Sequence, residues 1–77
     1  MRMIDRMETG KRLAEFRELS EMTQEDLAVK LGTDKMIVQK AEQGVMLTGV
    51  EIFMNIAEAL GAYVEDLIVW MEDDDER

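Results

Sequence analysis

TQEDLAVKLGTDKMIVQKAEQG, Thr23–Gly44, is the stretch that decides the fold. It divides at Gly32 into two segments, each bounded by the residues that start and stop helices. Thr23 suits an N-cap, because its hydroxyl can accept from the unpaired backbone N–H groups of a first turn. Asp26, three residues on, nearly completes a capping box. A helix over Gln24–Leu31 follows, and Gly32 fits the left-handed residue beyond its end. Asp34 is placed to cap a next helix over about Lys35–Gln43, which Gly44 ends in the same way. The link Gly32-Thr33-Asp34 is too tight for the two helices to lie antiparallel side by side, and it suits a crossing of about 90–120°. Three positions have a steric part in that crossing. Ala28 is small where the next helix crosses, Gly32 permits a positive φ, and Val38 points back into the wedge.

Outward from this pair, GKRLAEFRELSEM places Leu13, Phe16 and Leu19 at helical spacing and predicts a first helix over about Met7–Leu19. After the pair, VMLTGVE is a connection in which Thr48 and Glu51 form another capping-box pattern. It opens a fourth helix, GVEIFMNIAEAL, with Ile52, Phe53, Ile56, Ala57 and Leu60 on its apolar face and Gly61 at its end. A fifth helix, VEDLIVWM, turns Leu67, Ile68 and Trp70 inward. The expectation is an all-α, five-helix orthogonal bundle without strands over residues 7–71. Residues 1–6 form a flexible N-terminal arm. Residues 72–77 form an acidic disordered tail, because mutually repelling carboxylates with no apolar partner cannot offset the entropy of ordering.

Composition narrows the function. The 77 residues include no Cys and no His, so thiolate metal sites, disulfides and the commonest neutral-pH acid–base group are absent. No nucleophile–base arrangement and no phosphate loop is visible. The chain reads as a non-enzyme with no cofactor and no metal site. No apolar run is long enough to span a bilayer and MRMIDRM lacks the core of a signal peptide, so the expected location is cytoplasmic, with no membrane partner. The net charge of −9 is unevenly placed. Residues 1–44 carry eight basic and nine acidic side chains, whereas residues 45–77 carry one basic and nine acidic. The helix pair is therefore near neutral, and the acidity belongs to the C-terminal half.

The quoted stretch, preceded by RLAEFRE and followed by IFMNIAEALG, resembles the phage Cro/repressor helix-turn-helix family, also called the XRE family, over about Leu13–Ile68. The resemblance implies a lambda-repressor-like DNA-binding domain, usually dimeric, that sits on a two-fold operator of double-stranded DNA with its third helix in the major groove. Gln24 matches the family glutamine that holds a backbone phosphate at a helix N-terminus. Arg17 and Glu42 match a family ion pair between the first and third helices; the helical wheel puts Glu42 near Val38, so the pair is expected to be partly buried. Base-reading positions fall on Lys35, Met36 and Lys40, with Gln39 nearby. The wheel agrees: with Val38 inward, Met36, Gln39, Lys40 and Gln43 point outward. Thr33 and Gln43 join Gln24 as phosphate-positioning residues.

The chain also departs from the family pattern. It carries Met36 and Ile37 where polar residues are frequent, and VMLTGV follows Gly44 where a basic residue and Pro are frequent. Fewer phosphate contacts mean weaker and less salt-dependent binding. The principal expectation is a sequence-specific DNA-binding transcriptional regulator, a homodimeric repressor on an inverted repeat, joined across the fifth helix and Trp70. The alternative, motivated by the apolar Met36-Ile37 and Val45-Met46-Leu47 surfaces and the acidic half, is a protein-interaction module on the same fold. A toxin-neutralising antitoxin that also autoregulates would be one such protein.

Overall fold

The computed structural model describes residues 1–45 and 49–72. Five α-helices run in order: α1 (Arg6–Leu19), α2 (Gln24–Leu31), α3 (Lys35–Glu42), α4 (Val50–Leu60) and α5 (Val64–Leu67). Among the described residues there is no strand, only an isolated antiparallel bridge between Ile4 and Trp70.

Local chemistry sets most of the helix ends. The Asp5 carboxylate accepts from the Glu8 N–H at 3.0 Å and starts α1. At α2 the capping box is complete: the Asp26 N–H donates to the Thr23 hydroxyl at 3.0 Å, and the Thr23 N–H donates to the Asp26 carboxylate at 2.9 Å. That carboxylate is held below its ordinary pKa, first by the Thr23 N–H and then by the Thr23 hydroxyl. Gly32 stops α2 with φ of +73°, a value an L side chain rarely adopts. α3 begins after Asp34, whose side chain makes no capping hydrogen bond, contrary to the expectation from sequence. α4 opens after Gly49, with φ of +72° and no side-chain cap; the expected cap, Thr48, lies outside the described residues.

The core takes at least one residue from every helix. Leu13, Leu27, Ala28, Val38, Ala41, Ile56, Ala57, Leu60 and Leu67 are buried together, with Phe16, Ile52 and Phe53 packed around them. α3 lies against both α1 and α2, α2 also meets α4, and α5 meets α4 and α1. Each fully buried Leu or Ile contributes about 1.5–3 kcal/mol relative to exposure.

The C-terminal end differs from the sequence expectation. The fifth helix stops at Leu67 instead of continuing through Met71, and Ile68 is already extended. Ile68 and Val69 are β-branched and favour extended backbone. Distant partners then complete the choice. The Val69 N–H donates to the buried Thr9 hydroxyl at 2.9 Å. The Val69 carbonyl accepts from the Asp5 N–H at 2.8 Å, and the Met71 N–H donates to the Met3 carbonyl at 2.8 Å. Trp70 is 39% exposed rather than turned inward, and its ring lies 4.2 Å from the Arg2 guanidinium carbon. Tyr63 is exposed as well. Residues 3–5, assigned to an arm from sequence, are thus hydrogen-bonded to residues 69–71.

Candidate nucleic-acid interface

The eight residues of α3 are too few to hold a helix alone, so its geometry depends on what grips it. Val38 and Ala41 anchor its inner side at 1% and 2% exposure. Ala28, also buried, provides the small surface that α3 crosses.

The end of α3 is fixed by charge. Glu42 stands in the last turn, where a carboxylate is disfavoured by the helix dipole and needs a cationic partner. Arg17 of α1 supplies it as a fork: Nε donates to one carboxylate oxygen at 2.7 Å and Nη2 to the other at 3.2 Å. The third nitrogen, Nη1, donates to the Met22 carbonyl at 2.8 Å. The two side chains are only 10% and 8% exposed. Bonding to Glu42 raises the Arg17 pKa against the opposing effect of burial, so the guanidinium stays charged. Gln24 joins the same group, with its Nε2 donating to Glu42 at 2.9 Å. Among the described residues, no buried side-chain nitrogen or oxygen lacks a hydrogen-bond partner.

A second grip is purely steric. α1 meets α3 at Gly10, where a Cβ would overlap the Glu42 carbonyl and come within 2.9 Å of the Ala41 carbonyl. At Gly44, with φ of +76°, a Cβ would come within 2.8 Å of the Arg6 carbonyl oxygen. Neither contact was read from sequence. The signal for Gly10 was present, since a lone glycine in a helical pattern costs about 1 kcal/mol and asks for a packing reason.

The outer side of α3 is open. Lys35, Met36 and Gln43 are exposed, Gln39 and Lys40 half-exposed, and Thr33 is exposed in the turn before the helix. Ile37 is half-buried and faces a small hollow shared with Leu31, Ile52 and Asn55. The ion pairs among the described residues are Lys11–Glu8, Arg12–Glu15, Arg17–Glu18 and Arg17–Glu42. None of these pairs engages Lys30, Lys35 or Lys40. Of the residues expected to contact DNA, Gln24 is the one whose side chain has an internal hydrogen-bond partner among the described residues, Glu42. No described helix is long and apolar enough to cross a membrane.

A short, gripped helix with a polar outer side, following a glycine-hinged partner, defines a class that the comparisons identify. The helix-turn-helix family profile matches residues 13–67, and the chain belongs to that family of DNA-binding transcriptional regulators, of the Cro/repressor or XRE type. It is 32% identical over 63 residues to an uncharacterised HTH-type transcriptional regulator, MJ0272, of Methanocaldococcus jannaschii, covering 82% of this chain and 96% of that one. The restriction-modification controller protein C.AhdI of Aeromonas hydrophila superposes with a TM-score of 0.77 at 30% identity, over 82% of this chain and 91% of the other. The clp gene regulator ClgR of Corynebacterium glutamicum superposes with a TM-score of 0.74 at 27% identity, over 80% of each chain.

Proposed function

We propose that this regulator is a repressor that binds an inverted-repeat operator in double-stranded DNA as a homodimer, with α3 in the major groove. One observation carries the reading: the outer side of α3 is accessible and, among the described residues, its lysines have no carboxylate partner, while its inner side is fixed by Arg17 and Glu42. Lys35, Met36, Gln39 and Lys40 face the bases; Gln24, Thr33 and Gln43 position the helix on phosphates. Lysine here favours guanine, which presents two acceptors to the groove. The acidic α4–α5 half lies away from the duplex, and the cost of a net charge of −9 is weak long-range attraction. This reading includes no catalytic step, and it places the protein in the cytoplasm.

Dimer formation is supported by the apolar surface on the far side. Val50 and Met54 are exposed and, with Ile4, Phe53, Val64 and Ile68, line a shallow groove of about 280 Å³. α5 and Trp70 border this region and form the proposed two-fold contact.

Selection of bound DNA from a random pool at low and moderate salt tests the reading. It should enrich an inverted repeat with half-sites about one helical turn, roughly 34–36 Å, apart. In a fluorescence titration against that site, Lys40→Ala should lose about 1–3 kcal/mol of binding. An unchanged affinity removes Lys40 from the base contacts. A second reading, a module that binds a basic protein such as a toxin, draws support from the exposed Met36 and Val45. Capture of such a partner, with no DNA shift even at low salt, would favour it; Met46 and Leu47 of the apolar patch lie outside the described residues.

A further inference from the structure

We infer that Met36 determines specificity by reading the 5-methyl group of a thymine in each half-site, an inference that rests on the DNA-binding reading above. Of the side chains on the outer side of α3, Lys35, Gln39, Lys40 and Gln43 are polar and Met36 is not. Met36 is 56% exposed, whereas the apolar residues that follow it turn inward, Ile37 partly and Val38 completely. The core therefore has no use for the Met36 side chain, and its place on the helix puts it beside the two lysines.

The chemistry of the groove leaves such a side chain one partner. A thioether is only a weak acceptor and donates nothing. Major-groove base edges offer donors and acceptors at every base, and the thymine 5-methyl is the one apolar handle among them. Over a donor or acceptor edge, Met36 would remove water without replacing its hydrogen bond, which is unfavourable. Over a thymine methyl it buries apolar surface against apolar surface, and its three rotatable bonds let it seat without moving the helix. Met36 and Lys40 are four residues apart and lie about 5–6 Å from each other on one face. That distance spans about two base-pair steps of roughly 3.4 Å. The thymine read by Met36 thus lies within about two base pairs of the base read by Lys40.

The test uses the selected operator and replaces each thymine in turn by uracil, which removes the methyl and leaves every hydrogen-bonding group in place. One thymine per half-site should be sensitive, with binding weakened about three- to fivefold per methyl, the size expected for losing one buried carbon. Met36→Ala should bind the thymine and uracil operators equally, and Met36→Leu should keep most of the preference. Met36 lies outside the core, so both variants fold, which circular dichroism checks. If the operator is bound but no thymine is sensitive, or the sensitivity survives in Met36→Ala, the inference is overturned and the DNA-binding reading stands. If no DNA is bound at low salt, both fall together.

Discussion

The junction of α1, α2 and α3 and the region formed by α4, α5 and the paired chain ends are built by different means. At the junction, helices approach until backbone meets backbone at Gly10, and a buried guanidinium–carboxylate fork closes the gap. Its charged groups are matched donor to acceptor. At the other end, α5 is four residues long, the paired segments meet in a single bridge, and Val50, Met54, Tyr63 and Met71 remain exposed. The junction must hold a helix in a fixed pose, which demands groups that are matched to one another and cannot be changed singly without cost. The far region completes the core and leaves apolar side chains exposed.

The largest expected effect breaks the junction. Glu42→Ala removes the bidentate partner of the buried Arg17 charge, leaving only the Met22 carbonyl and the exposed Glu18 carboxylate at 3.9 Å, and should cost about 3–5 kcal/mol in urea denaturation. Replacing both residues, Arg17→Met with Glu42→Leu, should restore stability to within about 1 kcal/mol of the parent, because an apolar pair owes no desolvation. A single variant as stable as the parent would show that the pair carries little. Next in size is Gly10→Ala. Overpacking costs about 1–3 kcal/mol and the gain in helix propensity returns at most about 1 kcal/mol. A melting temperature that falls is expected; one that rises would mean the α1–α3 contact is looser than described.

Trp70→Ala probes the opposite region. It removes a partly exposed ring and its Arg2 contact, and should cost about 1 kcal/mol as a monomer. A loss as large as that of Glu42→Ala would erase the contrast between the two regions. The smallest effect concerns acid. A carboxyl whose pKa is lowered on folding stabilises the fold above its unfolded pKa and loses that contribution as pH falls through the folded value. The stability difference between the parent and Asp26→Asn, present at neutral pH, should therefore shrink below about pH 4. A difference independent of pH would show that the Asp26 charge has no part in the cap.

Much of the helix pair was legible because its information is local. Thr23, Asp26 and Gly32 bound α2 through bonds within a few residues, and the spacing of Ala28, Gly32 and Val38 encodes the crossing. The outward position of Met36 and Lys40 followed from one inward residue, Val38, and a 3.6-residue period. The fifth helix was overextended because what ends it lies far away: Thr9 and Asp5 bind Val69 across some sixty positions of chain. Trp70 was misplaced with it. Gln24 shows a different limit, since its residue type suits both a phosphate and the Glu42 carboxylate it meets. Asp34 fits the cap position by type but makes no bond there.

Everything that fixes the pose of α3 acts from its inner side: Val38, Ala41, the Arg17–Glu42 fork and the bare α-carbon of Gly10. Positions 35, 36, 39, 40 and 43 take no part in that support. Substitutions there should change stability by no more than about 0.5 kcal/mol each. The outward side chains of such a helix can be exchanged while the scaffold that holds it keeps its shape.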